Sequence, residues 1–457
     1  MVLGGFLAFA LTSCDDFLTE TPSTSVAETE AFASASDFTN NLHGLYSEFG
    51  SYNFTGRDVL FIGDACADVA QHTNETNNLR QLPHWIVYDS DDYLEVIWEY
   101  GYKVIAGCSE IIANASMAEE MPESSQATVY LAVAEAYGLR ALALFYLTNL
   151  WGLPYNSTNA ETLGVVNVDE PISVGQTVTR NTVGENYEQM LSDIENAKKY
   201  YSLDGVEDPG VYYLNEAAVY ALDARVKLFM QNYSGAISAA ETALSLFDGS
   251  MMTTADAFQS AWSTNVASSE DIFTQKKSAS DNCGSESLHT MYGLYGGEIN
   301  EEWLELFADD DIRTEVLNLS YGKFIGTSDG VDINNVPIFR LPELYLTIAE
   351  AKAEQGNYSE AKQYLMEVTE ARNSMDSDDI PITSDIIDVI HIERSKEFTQ
   401  EGFRLFDVRR WGEKISVAGG TYTDFDVAKF VYPIPAAEVN SGYGVTQTEN
   451  WSSYLPK

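Results

Sequence analysis

Apolar residues recur along most of the chain at the three- and four-residue spacing of amphipathic helices. Ten segments carry this pattern and are predicted helices: residues 31–49, 92–115, 124–151, 183–201, 215–230, 234–247, 301–308, 341–355, 359–373 and 384–410. The most apolar stretch, residues 130–151, contains Glu135 and Arg140, so we predict a buried helix and not a membrane span. The pattern therefore indicates a mainly α-helical protein.

Long stretches rich in Gly, Ser, Thr and Asn separate these helices. Within a single domain over residues 31–457, we predict helical repeats at about 124–247 and 341–410, and loop-rich inserts at about 53–88, 248–300 and 418–457. Loops of this length exceed what a plain helical bundle needs, and such loops usually carry function. We therefore expect the helices to be a scaffold and the loops to hold the functional site.

A short internal repeat supports paired helices. The sequence Asn-Tyr-Ser-Gly-Ala at 232–236 recurs as Asn-Tyr-Ser-Glu-Ala at 357–361. In both copies another alanine, Ala224 or Ala349, lies twelve residues before the closing alanine. The pattern predicts helix, tight turn and helix, with small residues where the helices cross, and it resembles the tetratricopeptide repeat. The alternative is an ordinary helical hairpin that occurs twice by chance.

The N-terminus resembles a bacterial lipoprotein signal. Residues 1–11 are apolar and uninterrupted, a length typical of a signal-peptide core and too short to span a bilayer. Leu-Thr-Ser-Cys at 11–14 resembles a lipobox, which predicts a signal peptide over 1–13, lipidation at Cys14 and a flexible tether to residue 30. The first basic residue is Arg57, which departs from the signal-peptide pattern, and a buried N-terminal strand is the alternative.

Composition narrows the classes of partner. Acidic residues number 70 against 25 basic ones, a formal net charge of −45, which repels nucleic acid and anionic lipid headgroups. Hydrophobic residues make up 45 % of the chain, enough for a sizeable core. Cys66, Cys108 and Cys283 have neither metal-site nor disulfide-scaffold spacing, so we predict that they are small buried apolar residues.

The sequence contains no motif that predicts catalysis or a cofactor. Phosphate-binding glycine loops, HExxH and GxSxG are absent, and five histidines are scattered without ligand spacing. We therefore predict no catalytic residue and no cofactor, while metal binding stays open.

One segment near the C-terminus concentrates charge. Residues 391–412 carry Glu393, Glu397 and Glu401 at helical spacing, together with several arginines. The segment is either an anion site or a hydrogen-bonded closure between a helix and a loop, and we favour the closure.

The loops combine aromatic rings with amide and guanidinium groups, as a carbohydrate site requires. Sugars present apolar C–H faces, on which aromatic rings stack, and hydroxyl rims, which polar side chains bind. The candidate glycan-binding residues are Asn77, Asn78, Arg80, Trp85, Tyr88, Trp262, Tyr292 and Tyr295. For each aromatic residue the alternative is packing beneath its own loop. Trp98 and Trp303 fall on helical faces and are predicted core residues.

Several short motifs occur in a distinctive order. They are Cys-Asp-Asp-Phe-Leu at 14–18, Ala-Tyr-Gly-Leu-Arg-Ala at 136–141, Leu-Trp-Gly-Leu-Pro-Tyr at 150–155, Phe-Arg-Leu-Pro-Glu-Leu-Tyr-Leu at 339–346, Glu-Gly-Phe-Arg at 401–404, Arg-Trp-Gly at 410–412 and Tyr-Pro-Ile-Pro at 432–435. Together they resemble the SusD/RagB-like outer-membrane glycan-binding lipoproteins of Bacteroidetes over nearly the whole chain.

This resemblance implies a fold and a function. The fold would be a right-angled scaffold of tetratricopeptide-like helix pairs behind an irregular, loop-built half, with ligand loops matching 77–88 and 281–295. The function would be capture of oligosaccharide or polysaccharide at the cell surface, without cleavage, and delivery to a SusC-like TonB-dependent outer-membrane transporter. The alternatives are a glycoside hydrolase lipoprotein, which needs two carboxylates across a cleft, a repeat-type protein–protein adaptor, and a lipoprotein that captures peptides.

Overall fold

The computed structural model of the chain describes residues 31–73, 76–173, 175–416 and 424–456. The predicted signal peptide, Cys14 and the predicted tether lie outside the described residues. The described residues are mainly α-helical, as predicted. The helices are α1 Ala35–Phe49, α2 Asp58–Ala65, α3 Asp92–Ala113, α4 Glu123–Trp151, α5 Val183–Tyr201, α6 Glu216–Phe229, α7 Tyr233–Leu246, α8 Ala255–Trp262, α9 Leu288–Gly293, α10 Glu301–Leu304, α11 Thr314–Leu317, α12 Leu341–Glu354, α13 Tyr358–Arg372, α14 Ile386–Glu397, α15 Arg404–Trp411 and α16 Ala436–Val439. The strands are β1 Ala70–His72, β2 Asp271–Gln275, β3 Gly297–Ile299 and β4 Val336–Arg340.

Side-chain caps fix the starts of the scaffold helices. Thr182 and Glu185 form a reciprocal capping box at the start of α5. The side chain of Asn215 accepts a hydrogen bond from the Ala218 amide at 2.8 Å and starts α6. Each such cap satisfies a backbone N–H that the helix cannot, and is worth about 1 kcal/mol. The short polar residues before each apolar run thus set where the helices begin.

The longer helices pack against one another largely in chain order. α1 packs on α3 and α4, α4 on α5, α5 on α6, and α6 on α7. α7 then packs on α12, which contacts α13 and α14. The two copies of the internal repeat are the pairs α6–α7 and α12–α13, so copies distant in sequence are neighbours in space. The alanines of the repeat are buried: Ala224, Ala236, Ala349 and Ala361. Their small side chains let the paired helices approach closely.

The apolar helix α4 lies in the core. By length and composition alone it is, within the described ranges, the single helix able to cross a membrane, yet most of its apolar stretch is buried by the protein itself. It also contains the buried Glu135 and Arg140. The prediction of a buried helix is confirmed.

Two small antiparallel pairings involve the predicted loop inserts, and the first of them joins the inserts over 53–88 and 248–300. β1 pairs with β3, and Gln71 lies opposite Glu298. β2 pairs with β4 with an irregular register. The inserts over 53–88 and 248–300 were predicted as loops, and this is wrong in part because α2, α8 and α9 lie within them. All eight residues of α2 are buried, so its sequence lacks the polar face that reveals an amphipathic helix.

The helix predicted over 384–410 is two helices. α14 ends at Glu397 and α15 begins at Arg404, with Gln400 and Gly402 at φ of 70° and 77° between them. A Cβ on Gly402 would lie 2.5 Å from the Leu60 Cα, so the turn packs directly on α2. This close backbone approach breaks a helix that the charge spacing alone predicted as continuous. The helix predicted over 301–308 is also shorter, Glu301–Leu304.

Candidate ligand-binding surfaces

The loop after β1 and the turn before β3 form one surface. The Thr73 amide donates to the Gly296 carbonyl at 2.7 Å, and the Thr76 hydroxyl donates to the Tyr295 carbonyl at 2.6 Å. The His72 imidazole contacts the Asn78 carbonyl at 2.9 Å. These bonds bring the loop that carries the predicted asparagines beside Tyr295.

Four of the predicted residues are accessible on this surface. Asn77 is exposed, and Asn78, Arg80 and Tyr295 are half-buried. Arg80 has no carboxylate partner among the residues that the structure describes, so its guanidinium remains available for a ligand. We name these four residues the loop surface. Tyr88 lies further along the same loop and is 55 % exposed, next to the exposed Ile86.

Trp85 does not belong to this surface. Its side chain is 3 % exposed and packs with ring centroids 4.7 Å from Phe425 and 5.1 Å from Phe430. Tyr432 lies parallel to it at 6.4 Å. The prediction that Trp85 stacks on a glycan is therefore corrected: the C-terminal segment covers the ring, and Trp85 supports the loop from beneath.

Trp262 and Tyr292 are also core residues in this structure. Trp262 is 4 % exposed, with the Lys323 ammonium 5.0 Å from its ring and the Arg340 guanidinium at 5.7 Å. Tyr292 is 4 % exposed and meets Phe61 edge-to-face at 5.4 Å. Both were predicted as ligand contacts, and both instead pack beneath their own segments. Trp98 and Trp303 are buried, as predicted.

The charged C-terminal segment is a structural closure. Glu397 accepts hydrogen bonds at 2.9–3.1 Å from Arg313, Arg340 and Arg372. The connected ion pairs form what we name the buried charge network: Arg313, Lys323, Arg340, Arg372 and Lys396 with Glu270, Asp311, Glu393, Glu397 and Glu401. Burial would raise the pKa of Glu397, but Arg372 and Arg340 outweigh it and hold that pKa well below its usual range. Positive and negative members balance, so the network has no spare charge for an external anion.

The structure contains a cleft of about 510 Å³ that was not predicted from the sequence. It opens between the second half of α1, the segment before α6 and the chain after β2. We name it the aromatic cleft, after the rings of His43, Tyr46, Tyr212 and Tyr213 in its wall. Lys276 and Lys277 also line it. A second cavity of about 250 Å³ adjoins it and shares Ser47, Gly50, Lys277 and Asp281. The adjacent pairs Tyr212–Tyr213 and Lys276–Lys277 were the available signals, but only the fold brings them together.

The cysteines follow the prediction in part. Cys66 and Cys108 are fully buried, and burial raises the pKa of Cys66 to about 12. Cys283 is half-buried. In the described ranges no group of three or more His, Cys, Asp or Glu side chains is arranged to hold a metal ion.

Two protein families match the chain. The SusD family matches residues 314–451, and a family described as "starch-binding associating with outer membrane" matches residues 16–228. The two matches together include helices from both repeat regions.

Similar proteins extend over most of the chain. SusD-like proteins P25 and P38 of Formosa agariphila are each 23 % identical over 90 % of this chain, covering 89 % and 90 % of their own lengths. A SusD superfamily structure from Bacteroides thetaiotaomicron has a TM-score of 0.79 at 25 % identity, covering 91 % of this chain and 99 % of its own. A structure from Bacteroides vulgatus described as a sugar-binding protein has a TM-score of 0.82 at 25 % identity, with 91 % and 98 % coverage.

Proposed function

This chain is a member of the SusD/RagB-like family of carbohydrate-binding proteins associated with the outer membrane, and on that basis we propose that it captures oligosaccharide or polysaccharide at the cell surface without cleaving it. The captured glycan is delivered to a SusC-like TonB-dependent outer-membrane transporter. A lipid on Cys14 holds the protein at the membrane, and residues 31–457 form the single ligand-binding domain. Family membership supports this proposal most directly.

The observation on the molecule that carries the proposal is the loop surface. Hydrogen bonds from Thr73 and Thr76 to the Gly296 and Tyr295 carbonyls join the segment that carries Asn77, Asn78 and Arg80 to the turn that carries Tyr295. A ring can cover the apolar face of a sugar, while amides and guanidinium groups donate to hydroxyl oxygens. β1 and β3 anchor both loops beneath it, so little ordering entropy is lost on binding. Tyr88 extends this proposed site along the same loop.

A panel of soluble polysaccharides in affinity gels tests the proposal on the mature chain. We expect retardation by at least one polysaccharide class, with no release of reducing ends on long incubation. Tyr295→Ala is expected to weaken binding at least fivefold, since loss of a central aromatic contact typically costs more than about 1 kcal/mol. Tyr454→Ala is the matched control, because Tyr454 is an exposed tyrosine outside the loop surface.

Other results of these binding experiments would contradict the proposal. Release of reducing ends would indicate a glycoside hydrolase. Silence across the panel would indicate peptide cargo, and binding that Tyr295→Ala leaves intact would remove the loop surface as the site.

The membrane anchor and the partner have their own test. Cys14→Ser is expected to shift the protein from the membrane fraction to the soluble fraction, while Cys283→Ser, the matched control, stays with the membrane. The anchored protein is expected to co-purify with a TonB-dependent transporter after mild solubilisation. A Cys14→Ser protein that remains with the membrane would contradict the anchor.

A further inference from the structure

The aromatic cleft presents ring faces that are held in place. The Tyr46 hydroxyl donates to Glu135 at 2.5 Å and accepts from the Leu214 amide at 2.8 Å. Tyr213 meets Tyr46 edge-on at 5.3 Å and stacks with His43 at 5.2 Å. Rings fixed in this way lose little conformational freedom when a ligand lies against them, which favours binding.

Two lysines bring positive charge to the same cleft. Lys276 is exposed, with its ammonium 4.8 Å from the Tyr212 ring centroid. Lys277 is 4 % exposed, and its ammonium donates to the Gly50 carbonyl at 2.6 Å. A lysine ammonium has three donors, so this bond leaves Lys277 with donors for a ligand. Neither lysine forms an ion pair with a carboxylate within the described part of the chain.

Most arginines of the described residues, by contrast, have carboxylate partners. Nine arginines of the described residues pair with carboxylates: Arg57, Arg140, Arg225, Arg313, Arg340, Arg372, Arg394, Arg404 and Arg410. Arg180 and Arg409 donate to backbone carbonyls. Lys276 and Lys277 differ from these arginines because they line a cavity and have no carboxylate partner in the described residues.

A buried acceptor completes the polar wall. Gln275 lines the cleft and is 6 % exposed. Its amide nitrogen donates to the Thr55 hydroxyl at 2.5 Å, whereas its carbonyl oxygen Oε1 has no hydrogen-bond partner in the described residues. A buried unpaired acceptor is costly, and a hydroxyl group of a ligand would satisfy it.

The cleft contains more ammonium groups than carboxylates. Asp281 lines it together with the two lysines, and Glu48 lines only the adjoining cavity. Behind Tyr46, burial raises the pKa of Glu135 to about 8, so this side chain is largely uncharged at neutral pH. The remaining negative charge of the protein is screened beyond a Debye length of about 8 Å at physiological ionic strength. The side chains that line the cleft thus include two ammonium groups and one carboxylate, an excess of one positive charge.

We propose that the aromatic cleft is a subsite for a sugar residue that carries a carboxylate or sulfate group. The sugar ring lies against Tyr212 and Tyr213, its anionic group contacts the ammonium groups of Lys276 and Lys277, and a hydroxyl donates to Gln275. This inference rests on the proposed glycan capture and adds an anionic ligand class, at a surface separate from the loop surface.

Titration calorimetry on the mature chain tests the subsite with three oligosaccharides. Trigalacturonate carries carboxylates, a κ-carrageenan tetrasaccharide carries sulfates, and maltotetraose is neutral. We expect tighter binding of one anionic probe than of maltotetraose, and the preferred probe identifies the anionic group. Lys276→Gln is expected to weaken that binding at least fivefold and Tyr213→Ala to weaken it further. Lys199→Gln is the matched control, because Lys199 is an exposed lysine on α5 that forms no ion pair in the described structure.

The remaining outcomes overturn the subsite. Equal affinities for Lys276→Gln and Lys199→Gln would exclude the lysine contact. Preference for maltotetraose, or binding of none of the three probes, would exclude an anionic sugar. Gel retardation by a polysaccharide that depends on Tyr295 but not on Lys276 would support glycan capture at the loop surface. It would exclude only the proposed subsite in the aromatic cleft.

Discussion

Neutralising Glu397 should strongly destabilise the protein. This carboxylate lies at the centre of the buried charge network and accepts hydrogen bonds from Arg313, Arg340 and Arg372. Glu397→Gln keeps the shape of the side chain but removes one of five negative charges that balance five positive ones. A buried guanidinium group cannot lose its proton at neutral pH, so the variant retains one uncompensated buried charge.

The structure sets the magnitude. Removing one partner from a buried ion pair costs about 3–5 kcal/mol, because the remaining charge has lost both water and its partner. In Glu397→Gln the amide oxygen of the new side chain still accepts a hydrogen bond, which favours the lower end of that range, about 3 kcal/mol. A typical domain is stable by only about 5–15 kcal/mol, so the loss is a large fraction of the total.

Urea denaturation followed by circular dichroism at pH 7 measures this loss. Glu360→Gln is the matched control, because the Lys352–Glu360 pair is largely exposed on the Glu360 side and such pairs contribute about 1 kcal/mol or less. Because the folded-state pKa of Glu397 is lowered, its contribution is present above the unfolded-state value near 4.5 and is lost as the pH falls below it. Wild type and Glu397→Gln should therefore converge in acid. A Glu397→Gln loss no larger than that of Glu360→Gln at pH 7 would refute the reasoning.

Three further changes test other parts of the fold. Burial raises the pKa of Glu135 from 4.5 to about 8, so between these values the folded chain keeps a proton that the unfolded chain loses, and stability falls as the pH rises. In Glu135→Gln the urea midpoint should therefore depend less on pH between about pH 5 and 8. An unchanged pH dependence would contradict this. Trp85→Ala should cost about 3–5 kcal/mol in the same assay, because the ring is buried, and a loss below about 1 kcal/mol would restore Trp85 as a surface residue. Gly402→Ala should lower the melting temperature more than Gly356→Ala. Both glycines have positive φ, but only at position 402 would the new Cβ lie against Leu60. Equal decreases in melting temperature would argue against this close contact.

The sequence predicted the accessible polar residues of the candidate site better than it predicted the accessible aromatic residues. Asn77, Asn78, Arg80 and Tyr88 are accessible, because polar residues in a loop seldom have a reason to be buried. Trp85 belongs to the same predicted loop, yet Phe425 and Phe430, near the other end of the chain, cover it. Local sequence does not contain that partner, so an aromatic loop residue cannot be assigned to solvent or core without the fold.

The aromatic cleft is a site that the sequence did not predict. Its walls come from α1, from residues 211–214 and from the chain after β2, which are distant in sequence. Tyr213 and Lys276 share a cavity with His43 because the segment before α6 and the strand β2 both contact α1, through Leu214 and Phe273 at Tyr46. Spacing rules describe one element at a time, so a site built from three elements gives no periodic signal.

The sequence by itself determined the mainly helical class, the paired repeats and the positions of most long helices. These features depend on local spacing, on caps such as Thr182 and on alanines at helix crossings, and local interactions are encoded in adjacent residues. The tertiary structure alone decided that α2 is a helix, that α14 and α15 are separate, and which charges and rings face inward. Those outcomes depend on burial, because the energy of a side chain is set by the partners that the rest of the chain brings to it.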